Sequence, residues 1–141
     1  MYLPDNNILI NAFRTDTQHH PVAKNWLEQT LSEGQAIRLF PTVEAGFVRI
    51  VTHPKIFNPL SPMAEAVGFL AALSGVPTVE VCHWTPETRD LWLKLCVDMK
   101  LVGNDCNDAM LASLAIERGL RLVTFDKGFL RFKDLDCLIL A

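Results

Sequence analysis

Cysteine and histidine are few in this chain and poorly spaced for metal binding. Cys82, Cys96, Cys106 and Cys137 include no C-x-x-C pair. A chain of 141 residues buries enough core to need no disulfide staples, so neither a disulfide framework nor a thiolate zinc site is expected. His19 and His20 are adjacent, while His53 and His83 stand alone, and none has zinc-site spacing. We expect the thiols in the core and the histidines at the surface. Long apolar runs are also missing. The longest uncharged stretch, Ala66 to Val79, includes Ser74, Gly75, Pro77 and Thr78 and falls short of the roughly 20 apolar residues of a membrane span. Asp5, Asn6 and Asn7 stand where a signal peptide would have its apolar region, so the expected location is the cytosol. No repeat, linker or low-complexity segment is visible.

What the chain does have is a hydrophobic content of 50% with 21% charged residues, which fits one domain spanning residues 1–141. Strand-like and helix-like runs alternate along it. Tyr2 to Pro4 reads as a short strand, followed by a helix from Asn7 to Phe13. Pro21 to Glu33 carries Val22, Trp26, Leu27 and Leu31 at helical spacing and stops at Gly34. Ala36 to Phe40 is a second strand, and Pro41 opens a helix through Val51. Ser61-Pro62 looks like a serine cap with proline at the first helical position, starting a helix to Leu73. Thr78 to Trp84 is a third strand, and Thr85-Pro86-Glu87 caps a helix to Met99. Asn104 or Asp105 caps a helix whose small residues Ala109, Ala112, Ser113 and Ala115 permit close packing on a sheet. Leu120 to Phe125 and Cys137 to Leu140 complete the strands. Strands separated by helices imply right-handed crossovers and a parallel sheet of about five strands between two helical layers, a three-layer α/β/α sandwich.

Four carboxylates, Asp5, Glu44, Asp108 and Asp126, fall where a strand-like run gives way to a helix-like one. In a parallel α/β sheet these junctions share the edge where such folds bind ligands. Like charges gathered there either hold protons or bind a hard cation such as Mg²⁺ or Mn²⁺. That points to a metal-dependent site acting on phosphate esters. Phosphodiester hydrolysis needs a water deprotonated at neutral pH and negative oxygens neutralised, which divalent ions on carboxylates achieve. Asp5 and Asp108 are the candidate direct ligands, and Asp126 joins them directly or through water. Glu44, on its longer stem, reaches a second ion or orients the attacking water. Asn7 and Thr124 are the expected supporting polar groups. Asp105, one helical turn before Asp108, is assigned to capping or support, with a ligand role as the alternative.

Each acid also has an ordinary explanation: a turn for Asp5, a surface charge for Glu44, a helix-terminal anion for Asp108, an Asp-Lys-Gly turn for Asp126. It is their joint placement that argues for a site. Net charge is −3, from 16 acids against 13 Lys and Arg; setting the four acids aside leaves 12 against 13, a remainder of +1. Lys127, Arg131 and Lys133 follow Asp126, interleaved with Phe129 and Phe132, a pattern suited to phosphate contacts with base stacking. A charged loop carrying two core aromatics accounts for it as well.

Asp5-Asn6-Asn7 after a short strand, Glu44 in the helix after the second strand, Gly103-Asn104-Asp105 through Asp108-Ala109, and Thr124-Phe125-Asp126-Lys127 together resemble a PIN-domain ribonuclease. The run Val123 to Phe132 is similar to VapC toxins, as are His19-His20-Pro21 and Glu44 to Arg49. Asn6 stands where the family often has a small or β-branched residue. The resemblance covers essentially the whole chain. It implies a PIN-like fold and an Mg²⁺- or Mn²⁺-dependent endoribonuclease, the toxic half of a toxin–antitoxin pair. It also implies a homodimer, restrained by a VapB-type antitoxin whose tail lies across the catalytic groove. Apolar helix surface around Glu44 and between Pro62 and Leu73 is the expected contact for dimer or antitoxin. Two rivals are a catalytically weak PIN-like module that only binds RNA or a partner, and a receiver-like Mg²⁺-binding signalling domain. The second would need an acid ending the third strand, where this chain has His83-Trp84.

Overall fold

The computed structural model describes all 141 residues. Its sheet contains β1 (Tyr2–Pro4), β2 (Ile37–Leu39), β3 (Val79–Val81), β4 (Arg121–Thr124) and β5 (Cys137–Ile139), all parallel, in the order β3-β2-β1-β4-β5. Six helices flank it: α1 (Asn6–Phe13), α2 (His20–Ser32), α3 (Pro41–Val51), α4 (Met63–Ser74), α5 (Pro86–Asp98) and α6 (Asp105–Arg118). This is the three-layer α/β/α architecture expected from the alternation. None of the helices is long and apolar enough to cross a membrane.

The strand order determines where the site sits. From β1 the chain builds outward through β2 and β3, then crosses to the other side of β1 for β4 and β5. The reversal lies between β1 and β4, where open α/β sheets leave a crevice at the carboxyl ends of their strands. Pairing there is in register from Tyr2 with Arg121 to Pro4 with Val123, and the Asp5 amide continues it by donating to the Val123 carbonyl at 2.9 Å. Asp5 and Thr124 therefore stand at one level on neighbouring strands.

Leu3, Ile37, Leu39, Leu122, Phe47 and Leu114 are fully buried in one core. α1 is short but buries three successive residues, Ile8, Leu9 and Ile10, because α2, α3 and β4 all pack against it. α6 packs closely through Ala109, Ala112, Ser113 and Ala115, each with no exposed surface. Its first turn is anchored by Trp92 of α5, whose Nε1 donates to the Cys106 carbonyl at 2.8 Å. Gly119 ends α6 with φ of 63°, the left-handed conformation glycine adopts most readily.

Two sequence expectations are corrected. Ser61 does not cap α4. The helix begins at Met63 after Pro62 in an extended conformation, with no side-chain cap bond, and the buried Ser61 hydroxyl instead accepts from Arg14 at 3.1 Å. The third strand is only Val79–Val81, because the chain leaves the sheet to stack Trp84 on Phe40, with ring centres 5.8 Å apart. By contrast, Thr85 caps α5 as its sequence suggests, accepting from the Thr88 amide at 3.3 Å. Cys82 is buried, the other cysteines are partly buried, and all four are free. His83 is exposed, while His19, His20 and His53 are half-buried.

Candidate active site

Asp5 is both the last link of the β1 pairing and the N-cap of α1. Its Oδ1 accepts from the Asn6 amide at 2.7 Å and its Oδ2 from the Thr124 hydroxyl at 2.9 Å. Thr124 ends β4 completely buried, and its hydroxyl is fully used. It donates to Asp5, and it accepts from Asn7 Nδ2 at 3.1 Å and from the Asp126 amide at 3.0 Å. Asn7 Oδ1 in turn accepts from the Phe125 amide at 3.3 Å. One hydroxyl thus ties together Asp5, Asn7 and the backbone that carries Asp126.

Asp126 starts a 3-10 turn, Lys127–Arg131, by accepting from the Gly128 amide at 2.8 Å through Oδ1. The Asp-Lys-Gly turn is therefore real, and it leaves Oδ2 uncommitted. Asp108 lies in the first turn of α6, where the helix dipole favours a negative charge. Asp5, Asp108 and Asp126 all line one open cavity of about 620 Å³, together with Asn6, Asn7, Arg49, Asn104 and Asn107 among others.

Burial governs the electrostatics of this cavity. It pushes the Asp5 carboxyl up to about 6 from an ordinary 3.8; the Thr124 and Asn6 hydrogen bonds oppose the rise, and the Asp108 and Asp126 charges add to it. Asp108 is also raised, chiefly by burial, against the pull of Arg131. Burial alone raises Glu44.

Glu44 is the outlying member. It lies half-buried in the first turn of α3, and its neighbours Val43, Ala45 and Gly46 line the cavity while it does not. Asp105 is the first residue of α6 and also lies off the cavity wall, 3.4 Å from Arg131 Nη2. Asn104 holds the cap position without a side-chain bond. As the side chains stand, no three carboxylates, histidines or cysteines form a ready-made metal cage. The donors suit a hard cation nonetheless. Mg²⁺ keeps several waters and takes one or two protein carboxylates along with substrate phosphates rather than an all-protein cage. Asp5, Asp108 and Asp126 around an open cavity fit that requirement.

The basic cluster divides. Lys127 and Lys133 are exposed and pair with no acid. Arg131 turns to the acids, with Nη2 3.1 Å from Asp108 Oδ2. Phe129 and Phe132 are 1% and 2% exposed, so these aromatics are core and offer no face to a base. Sequence reasoning passed over two features. Arg49 reaches the cavity with no carboxylate partner; its place five residues after Glu44, on the same helix, was the available signal. Gly46 makes room for Asn6, since a Cβ there would lie 2.6 Å from Asn6 Nδ2.

Comparison with known proteins gives a consistent answer. The family model described as "PIN domain" matches residues 2–135. Ribonuclease VapC31 of Mycobacterium tuberculosis is 32% identical over 135 residues, covering 96% of this chain and 95% of that protein. Ribonuclease VapC43 of the same organism is 33% identical over 139 residues, covering 96% and 92%. Among solved structures, VapBC2 from Rickettsia felis bound to a promoter DNA fragment superposes with a TM-score of 0.74 at 20% identity, covering 99% of this chain and 98% of that one. The Mycobacterium tuberculosis VapC20 structure, described as a Sarcin-Ricin loop cleaving toxin, gives 0.70 at 15% identity, covering 94% and 95%. This chain belongs to the PIN-domain family, in its VapC branch.

Proposed function

We propose that this chain, acting as one PIN unit, is the endoribonuclease toxin of a toxin–antitoxin pair and hydrolyses RNA phosphodiesters in a reaction that depends on Mg²⁺ or Mn²⁺. The observation that carries this reading is the cavity shared by Asp5, Asp108 and Asp126 at the β1/β4 reversal. The relatives named ribonucleases and the neighbours solved as VapBC complexes support it. Asp5 and Asp108 would hold the cation, with Asp126 contributing directly or through water. When bound, such a cation supplies charge neutralisation at the phosphate and a water acidic enough to deprotonate near neutral pH.

The residues of the chain do the rest. Thr124 and Asn7 hold the Asp5 carboxylate and the Asp126 backbone in fixed relation, so little reorganisation accompanies binding. Arg49 presents an unpaired guanidinium to a substrate phosphate, and the exposed Lys127 and Lys133 extend that field outside the cavity. Glu44, whose neighbours Val43, Ala45 and Gly46 line the cavity, is the proposed group to take a proton from, or orient, the attacking water. The proposed partners are RNA, a second copy of the chain, and a VapB-type antitoxin, and the proposed location is the cytoplasm.

Sequencing the cut ends of total RNA after expressing the protein beside its Asp5→Asn variant tests activity and substrate together. Discrete new ends with the parent protein and none with the variant are expected. Identical end profiles would leave only the RNA- or partner-binding reading.

A further inference from the structure

Of all the lysines and arginines, only Arg131 pairs with any of the acids assigned to the site. Its Nη2 donates to Asp108 Oδ2 at 3.1 Å and to Asp105 Oδ1 at 3.4 Å. Its Nη1 donates to the Gly128 carbonyl at 2.9 Å, and its guanidinium lies 4.8 Å from the centre of the Phe132 ring. Gly128 is tightly enclosed: a Cβ there would lie 2.9 Å from both Arg131 Nη1 and Asp126 Oδ1. The guanidinium thus has two independent supports, one acidic on α6 and one neutral on its own 3-10 turn.

A dication bound by Asp108 would face that positive guanidinium across a single carboxylate, so the two compete for the same charge. If Arg131 releases Asp108 and Asp105, the Gly128 carbonyl still holds Nη1 and the guanidinium stays beside the Phe132 ring, leaving the Nε–Nη2 fork free beside Asp108. That fork matches the bidentate geometry of a phosphate. We infer that Arg131 is a built-in counter-ion that cedes Asp108 to the metal and then positions a substrate phosphate, coupling metal loading to RNA engagement. The inference rests on the metal reading above and goes beyond it by assigning the exchange to one side chain.

The test is Mn²⁺ binding without RNA, measured by the electron paramagnetic resonance signal of free Mn²⁺, for the parent, Arg131→Gln, Arg131→Lys and Asp5→Asn. KM for a single-stranded oligoribonucleotide is measured on the parent and the two Arg131 variants. Losing an ion pair of this exposure should tighten Mn²⁺ binding in Arg131→Gln by about two- to fivefold, while KM for the oligonucleotide rises. Arg131→Lys keeps the competing charge and loses the fork, so its Mn²⁺ affinity stays at the parent value while KM still rises. A purely structural clamp would weaken metal binding in both variants, which would overturn the inference, as would an unchanged KM in Arg131→Lys. Mn²⁺ binding that is absent from the parent would overturn the metal reading itself. Parent binding that Asp5→Asn lacks, with no gain in Arg131→Gln, would sink only the exchange.

Discussion

The Thr124 hydroxyl donates to Asp5 Oδ2 at 2.9 Å across 119 residues of sequence, and the same oxygen accepts the Asp126 amide at 3.0 Å. A single buried oxygen thereby sets the spacing of two acids delivered by different strands. Thr124→Val keeps the shape and removes both contacts. It should cost about 1–3 kcal/mol of stability by stranding buried polar groups, and about 10- to 100-fold in RNA cleavage through the loosened acids. Urea unfolding and a cleavage assay on the purified variant measure both. Wild-type turnover at reduced stability would show that Thr124 serves the fold alone.

Asp5 predicts a pH dependence with a definite sign. Its carboxyl is raised to about 6 in the folded chain from an ordinary 3.8, so the native state binds its proton more tightly than the unfolded state does. The resulting stabilisation is full below the ordinary value and disappears as pH rises through about 6. In chelator, Asp5→Asn should therefore melt higher than the parent at pH 7.5, by up to about 3 kcal/mol in stability, with the two curves converging toward pH 4. Thermal melts across that range provide the check. A variant less stable than the parent at pH 7.5 would mean that the Asp5 charge is compensated by groups other than metal.

Arg14 predicts a purely structural loss. It leaves the end of α1 to donate to the Pro59 carbonyl at 2.8 Å and to Ser61 at 3.1 Å, pairs with Asp16, and lies 4.2 Å from the Phe57 ring centre. Arg14→Met keeps much of the stem packing and removes every side-chain hydrogen bond, so a loss of about 2–3 kcal/mol is expected. Mn²⁺ affinity, which the proposed function assigns to Asp5 at the opposite end of α1, should stay at the parent value. Chemical denaturation together with a Mn²⁺ titration separates the two.

Gly119 offers a simpler check of backbone geometry. Its φ of 63° is left-handed, and a Cβ there would meet nothing within 4 Å, so Gly119→Ala is strained without being crowded. A cost of about 1–2 kcal/mol, with cleavage unchanged, is the expected outcome in denaturation and activity assays.

These residues also show what the sequence could convey. Pro41 and Thr85 announced their helices because a proline at the first helical position and a threonine cap act within a few residues. Ser61-Pro62 carried the same local signature and misled, because its hydroxyl is claimed by Arg14, 47 residues away, a contact no local pattern encodes. The acids could be read from their place at strand ends, which topology converts into proximity. Glu44 shows the limit of that logic, since a position on a helix gives the turn but not the direction in which the side chain reaches. Phe129 and Phe132 look alike as core or as stacking surface until their burial is seen.

Anomalous diffraction from crystals grown with Mn²⁺ tests the shared-cation claim most directly. A peak within the cavity, about 2.1 Å from oxygens of Asp5 and Asp108, with Asp126 bound directly or through water, is the result this reading predicts. A peak elsewhere on the surface, or none at saturating Mn²⁺, would contradict it.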